Sequence, residues 1–437
     1  MRARTTSRRS FLSGLGSLGV ASAALPVLSE RAFAQLFKAD AIAGDRAPLE
    51  IADDESYWSH IQRAFDIDRT MINLNNGGVS PTPSHVLEQM IRDLKFTNEL
   101  PAEHNWRVLE PRMESTRREL AREFGCDTEE MAVTRNASEA LENVILGLDL
   151  ARGDEVIITN QNYGRMITSW EQRERREGIV IKRLSFKLPL TDPSEFLRSL
   201  EAAITPRTKA IELTHITNLS GQIMPIREVV RIARPHGIEV IVDGAHAFAH
   251  FPFKRDDLEC DYYGTSLHKW LTAPIGAGFL YVRKEKIPRV WPLFASAAGR
   301  EDNIRKFEEI GTHPQANFNS VSVALTFHRG IGADRKIARL RYLRDRWAKA
   351  LLAHSERVKV LTELGPDKAG AICLFSVDGM DPVKLGGWLM REYRIVNTPI
   401  VHPEFSGIRI TPNVYTTIDE IDVFTEAVKR ALKQGIA

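Results

Sequence analysis

Lys269 lies in "YYGTSLHKWLTAPIGAGFLYV", residues 262–282, where apolar and small side chains crowd a group that prefers water. Twenty-six positions earlier Asp243 ends the apolar run "IEVIVD", and "GAHAFAH" follows with His246. A buried carboxylate is costly unless a cation meets it. Set on one rim, the pair allows three kinds of chemistry: a structural ion pair, a phosphate site, or an amine made nucleophilic by desolvation. Asp243 taken alone also suits a plain turn residue capping the next helix.

The elements that must position this pair alternate along the chain. "TRNASEALENVILGL" reads as a helix whose start is marked by Asn136 and Ser138, and "RGDEVIIT" as a turn feeding a strand. "SWEQRERREG" is a charged helix stopping at Gly178. "IVIKRLSF", "KAIELTHI" and "IEVIVDGAH" are short β-branched runs, parted by helical stretches such as "PIREVVRIARPHG". This order predicts an α/β fold with a mainly parallel sheet flanked by helices, and such sheets bind ligands at the carboxyl ends of their strands. Lys269 and Asp243 then share one rim.

Residues 81–315 are expected to form this large domain. Ahead of it, residues 35–80 read as an N-terminal arm with a helix near "DESYWSHIQRAF", and Ser84 is the expected N-cap of the following helix. Residues 316–437 carry the amphipathic "RKIARLRYLRDRWAKALLAHSERV", the strands "GAICLFSV" and "GIRIT", and a closing helix. They predict a smaller α+β domain.

The first 34 residues read as an address. Arg8 and Arg9 precede Phe11 and Leu12, a modest apolar region follows, and Ala32 and Ala34 frame a small-residue cleavage site before Gln35. Twin arginines in this setting predict export of a folded protein to the periplasm. Removing residues 1–34 takes five arginines and one glutamate from a chain of formal charge +2, leaving −2. Neither value points to nucleic acid, or to a membrane once the leader is gone. Cys126, Cys260 and Cys373 are too far apart for a metal-ligand spacing, and three cysteines make no disulfide scaffold.

Of the three uses of Lys269, the nucleophilic amine has a physical partner in Asp243. Pyridoxal 5′-phosphate (PLP) is held through a lysine amine and works best with an anion beside its ring nitrogen. "IVDGAHAFAH" followed by "YYGTSLHKWLTAPIGAGFLYV" resembles the PLP-dependent class V aminotransferases of fold type I, in their isopenicillin N epimerase-like branch. "LNNGGVSP", "TRNASEAL", "THITNLSGQIMPI", "EEIGT" and "IRITPNVYTTIDEID" occur in the family's order and span most of the chain.

The resemblance implies roles for particular residues. Lys269 would be the Schiff-base lysine and the base at the substrate Cα, Asp243 the partner of the ring nitrogen, and His246 a neighbour of the ring hydroxyl. Asn218 would bond that same side of the cofactor, and Tyr163 would stack on it, at a position where many relatives have histidine. Ala137 and Ser138 would hold the phosphate at a helix start, with Ser266 and His268 adding donors. Thr312 would reach a phosphate across the interface of a homodimer. Arg409 would grip the substrate carboxylate with a bidentate fork, with Asn76 also on the substrate side. No metal is expected.

The resemblance thus implies an aminotransferase or epimerase acting at the amino group or Cα of an amino-acid-like small molecule. A PLP-dependent lyase working by β-elimination without a protein thiol, and a non-catalytic PLP-binding protein of the same fold, remain as alternatives. Cysteine desulfurases of the class carry a reactive cysteine shortly before the carboxylate arginine, but "RIVNTPIVHPEFSG" has none, so a thiol-dependent desulfurase is not expected. A P-loop or dinucleotide site is disfavoured, since GxxxxGK[ST] and a well-placed GxGxxG are both missing.

Overall fold

The computed structural model describes residues 30–436. The Arg8–Arg9 motif and its apolar region lie outside them. The first described element is a helix, Glu30–Ala43, which runs through the expected cleavage point. Its Leu36, Ala39 and Ala43 are buried with Trp58, Ile61, Ile337 and Tyr415. The arm therefore begins with a packed helix that sequence patterning did not signal. The expected second helix is Glu55–Gln62, capped by Asp54, whose carboxylate accepts from the Ser56 amide.

A two-residue strand, β1 (Ile72–Asn73), precedes the central sheet. That sheet is built from β2 (Met131–Thr134), β3 (Glu155–Thr159), β4 (Val180–Leu184), β5 (Thr208–Thr214), β6 (Glu239–Asp243), β7 (Tyr262–Ser266) and β8 (Gly278–Val282). The spatial order is β2-β8-β7-β6-β5-β3-β4, and β8 alone runs against its neighbours. Sheets of this kind are covered on both faces, which explains the near-continuous apolar runs. Val240, Val242, Tyr263, Phe279 and Tyr281 enter one core, while Ile241, Tyr262, Leu280 and Val282 enter the other. The fold is the expected mainly parallel α/β type.

Local signals set the flanking helices. Asn136 caps Ala137–Gly147 by accepting from the Glu139 amide. Gly178 stops Gly164–Glu177 in a left-handed conformation, φ 76°. Helix Ser84–Glu99 differs from expectation: Pro83 is its N-cap, and the Ser84 hydroxyl donates instead to Asp66. Proline has already set the backbone there, leaving the hydroxyl free for a neighbour.

The smaller sheet comprises β9 (Val358–Val360), β10 (Cys373–Val377), β12 (Thr398–Val401) and β13 (Ser406–Ile410), all antiparallel in the order β12-β13-β10-β9. β11 (Ile395–Val396) pairs instead with β1, tying the arm to the C-terminal part of the chain. Strands β11 and β12 carry no clear sequence signal: "RIVNTPIV" is short and broken by proline, so its pairing depends on tertiary contacts. Trp347, Phe375 and Phe424 fill the core under this sheet with edge-to-face contacts. Among the described residues no helix is long and apolar enough to cross a membrane, and no group of three His, Cys, Asp or Glu could hold a metal.

The Asn218 loop and the smaller sheet meet at Gly221. Its φ is +75°, and a Cβ there would meet the Ile372 carbonyl oxygen well inside contact distance. Gly221→Ala is expected to lower stability by about 2 kcal/mol or more, from left-handed strain plus overpacking. Urea denaturation measures it.

Candidate active site

The segments at the ends of five strands of the central sheet converge on one cavity of about 440 Å³, lined by Asn136, Ser138, Asn218, Asp243, His246 and Lys269 among others. Asp243 is the last residue of β6 and shares the parity of Ile241, so it faces the side covered by helices Ala137–Gly147 and Gly164–Glu177. Lys269 lies three residues past β7, in the connection to β8. This is the carboxyl-terminal edge where such sheets bind ligands.

Lys269 Nζ is 3.1 Å from His246 Nε2. Burial pulls the lysine down to about 8; Asp243 works against the shift and Arg409 adds to it. Burial, and then Lys269, hold His246 well below the usual histidine range. Burial raises Asp243, opposed by the Ala245 amide, which donates to its Oδ1 at 2.9 Å, and by the Lys269 charge. A second carboxylate, Glu212 on β5, lies fully buried and accepts from Trp170 Nε1 at 2.5 Å. Burial and then the charge of Asp243 push Glu212 up to about 8, so it stays protonated at neutral pH. Its only trace in sequence is a glutamate inside the apolar run "KAIELTHI".

The anion end is formed by the start of helix Ala137–Gly147. The Ala137 amide donates to Ser266 Oγ at 2.9 Å, so Ser266 joins β7 to this helix start instead of pointing away from it. Ser138 and His268 line the cavity beside it. Burial holds His268 down to about 4, so the ring is neutral. Tyr163 stands at the mouth, 39 % exposed, just before helix Gly164–Glu177. Thr312 is exposed and is not part of the lining in its own chain.

Arg409 comes from β13 and is buried. Its guanidinium donates to the Asn218 carbonyl and to Asn75 Oδ1, both at 2.8 Å, and to Thr398 Oγ1 at 3.3 Å. Burial lowers it to about 10, and its Nε has no partner. The structure places Asn75, not Asn76, against this arginine. Asn76 is fully buried and its amide is committed: it donates to the carbonyls of Asn73 and Thr411 and accepts from Tyr415. Adjacent asparagines cannot be told apart by pattern, because only the backbone turn decides which one faces the guanidinium.

The donor set fits PLP. Asn218 Oδ1, His246 Nδ1 and His268 Nδ1 are buried at the cavity without partners. Buried polar atoms rarely stay unpaired, and a bound polar ligand would satisfy them. A helix start for a phosphate, a carboxylate for a ring nitrogen and a lowered-pKa amine stand together in one space. A family model described as aminotransferase class-V matches residues 72–398. The chain belongs to that family.

Class V relatives agree over most of the chain. The isopenicillin N epimerase of Streptomyces clavuligerus is 29 % identical over 85 % of this chain and 97 % of its own length. A probable cysteine desulfurase of Halobacterium salinarum is 27 % identical over 89 % of this chain and 98 % of its own. Among solved structures, a cysteine desulfurase from Thermococcus onnurineus NA1 superposes with a TM-score of 0.75 at 21 % identity, covering 86 % of this chain and 98 % of that one. A cystine C-S lyase in complex with cysteine persulfide gives 0.73 at 23 % identity, with 83 % and 98 % covered. These structures share the fold. PLP is the cofactor of this class V chain.

The stretch before Arg409, where class V desulfurases were expected to carry cysteine, is differently occupied. His402 Nε2 donates to the Asn160 carbonyl at 3.0 Å, and Glu404 accepts from Asn160 Nδ2 at 2.9 Å and from the Ser185 hydroxyl. The cysteines lie elsewhere: Cys260 and Cys373 are buried, with thiols pushed up to about 12, and the half-buried Cys126 is also raised.

The shifted lysine gives a pH prediction. Below about 8 the Lys269 amine is protonated and unreactive; above it the free amine predominates. PLP added to cofactor-free protein and fixed by borohydride is expected to label Lys269 at a rate that rises through pH 8. Peptide mapping identifies the site, and a rise centred near the ordinary 10.5 would contradict the assignment.

Proposed function

We propose that this class V enzyme moves the Cα proton of an amino-acid-derived substrate, as an epimerase or an aminotransferase. The observation that carries it is one cavity lined by Lys269, 3.1 Å from His246, and by Asn218, whose carbonyl holds the buried guanidinium of Arg409 against the wall. Epimerisation is favoured by the likeness to isopenicillin N epimerases of Streptomyces clavuligerus and Amycolatopsis lactamdurans, which extends over 97 % and 99 % of their lengths.

Each residue's part follows from its surroundings. Bound here, PLP supplies an electron sink for the pair left at Cα when the proton departs. Lys269 attaches the cofactor and, when freed, takes and returns the proton at Cα. His246 keeps the amine in place without adding a competing charge. Asp243 holds a negative charge at the foot of the site, with Glu212 kept neutral beneath it. Arg409, fixed by Asn75 and Asn218, orients the substrate carboxylate. Ser138, His268 and the helix start take the phosphate.

A PLP-dependent lyase is the second reading, supported by the likeness to a cystine C-S lyase and to cysteine desulfurases. The buried, raised thiols leave no reactive sulfur acceptor at the site, which argues against a thiol-dependent desulfurase but not against a lyase that eliminates a β-substituent without a protein thiol. A homodimer is proposed with the function, supported by the exposed Thr312 and by Leu87, Ile91 and Leu94, an exposed apolar stripe on helix Ser84–Glu99. Export by the twin-arginine route is proposed on the sequence of residues 1–34 alone.

The test is a panel of amino acids and peptide-like amines incubated with the PLP-loaded protein in deuterated water. Deuterium at Cα with loss of optical rotation and no oxo acid is the expected result. Oxo acid with conversion of the cofactor to its amine form would indicate transamination, and no Cα exchange with any compound would sink the reading. Arg409→Leu is expected to raise KM for a responsive carboxylate substrate about 10- to 100-fold, the cost of a charged hydrogen-bond pair.

A further inference from the structure

His250 takes no part in the site's chemistry, yet it touches three segments that do. Its side chain is fully buried. Nδ1 lies 2.8 Å from the His246 carbonyl, and Nε2 lies 2.8 Å from the Ala371 amide nitrogen. An amide can only donate, so Nε2 accepts and the ring proton sits on Nδ1, donated to His246. The ring stacks on the Trp270 indole, centroids 3.6 Å apart at 12°, one residue after Lys269.

Ala371 lies two residues before β10, and β10 pairs with β13 so that Leu374 faces Arg409. One imidazole therefore connects the His246 backbone, the Lys269–Trp270 turn and the strand pair that carries the arginine. Non-glycine residues with positive φ flank both large-domain segments: Ala249 at 59° and Thr272 at 58°. Such conformations persist only where surrounding contacts hold them. Behind the indole, Lys336 donates to the Trp270 carbonyl and is itself buried. Gly370 leaves room for the ring, since a Cβ there would strike His250 Nε2. Burial holds His250 down to about 3, so the bonded tautomer is the neutral one.

We propose that His250 is a positioning residue that sets the separation between the reactive amine of Lys269 and the carboxylate clamp of Arg409, by tying the His246–Lys269 rim to the β10–β13 pair. The inference rests on the reading of Arg409 as the carboxylate grip. Its loss would loosen recognition of a carboxylate while leaving the amine end nearly intact, because Lys269 keeps its sheet anchorage through β7 and β8.

The test uses the PLP-loaded full chain and cofactor absorbance, titrated with L-norvaline and with n-butylamine, its counterpart without the carboxylate. In His250→Phe, which keeps the stack on Trp270 but loses both hydrogen bonds, the preference for norvaline is expected to fall about tenfold with butylamine binding unchanged. His250→Gln, which keeps an acceptor for Ala371, is expected to recover most of it. If His250→Phe does not fold, His250→Asn, which keeps a donor for His246 only, should show the same tenfold fall. A preference kept within twofold, or equal weakening of both ligands, overturns the inference. A wild-type protein that does not prefer norvaline overturns the Arg409 reading itself, and the coupling with it.

Discussion

Two basic nitrogens 3.1 Å apart, Lys269 Nζ and His246 Nε2, cannot both carry a full complement of protons. One must present a lone pair to the other. Burial resolves the contest by keeping the imidazole neutral and drawing the lysine toward neutrality. The surroundings sustain that arrangement. Asp243 supplies the one buried negative charge that favours a lysine proton, while Glu212 beneath it is kept uncharged. Were Glu212 ionised as well, its charge would favour the protonated lysine and work against the free amine.

The same need for burial explains why the site spans two sheets. The large sheet can bury a lysine and a carboxylate at its strand ends, but the arginine arrives from β13 in the smaller one. Its guanidinium is fastened to the Asn218 carbonyl, in the loop after β5, and to Asn75, just after β1, so three distant stretches of chain converge on one side chain. Pairing of β1 with β11 holds the arm in that position.

The parts legible in sequence were those governed by local rules. Near-continuous apolar runs alternating with helical stretches announce the central sheet, Asn136 and Gly178 mark helix ends, and Asp243 and Lys269 stand at strand ends where charge is costly. Resemblance added Asn218, His268 and Arg409, which the structure gathers around the cavity or against its wall. What escaped depends on contacts between distant segments. Asn75 and Asn76 look alike in sequence, since neighbours in one turn differ only in direction, and only the fold sets Asn75 against Arg409. His250 and Lys336 look like ordinary polar residues until the fold places one over Trp270 and the other under its carbonyl. Helix Glu30–Ala43 was masked by its likeness to the tail of an export signal.

One feature of the sheet bears on how steadily the lysine is held. β8 turns back to lie between β7 and β2, so the connection carrying Lys269 starts and ends in interior strands with hydrogen-bonded partners on both sides. Catalytic groups on lids belong to the parts of a protein that open first. Here the Lys269 connection is anchored at both ends in interior strands, the kind of element that opens last in a folded domain. A lysine held in this way would give a covalently attached group a mooring tied to the stability of the sheet, not to that of a loose loop.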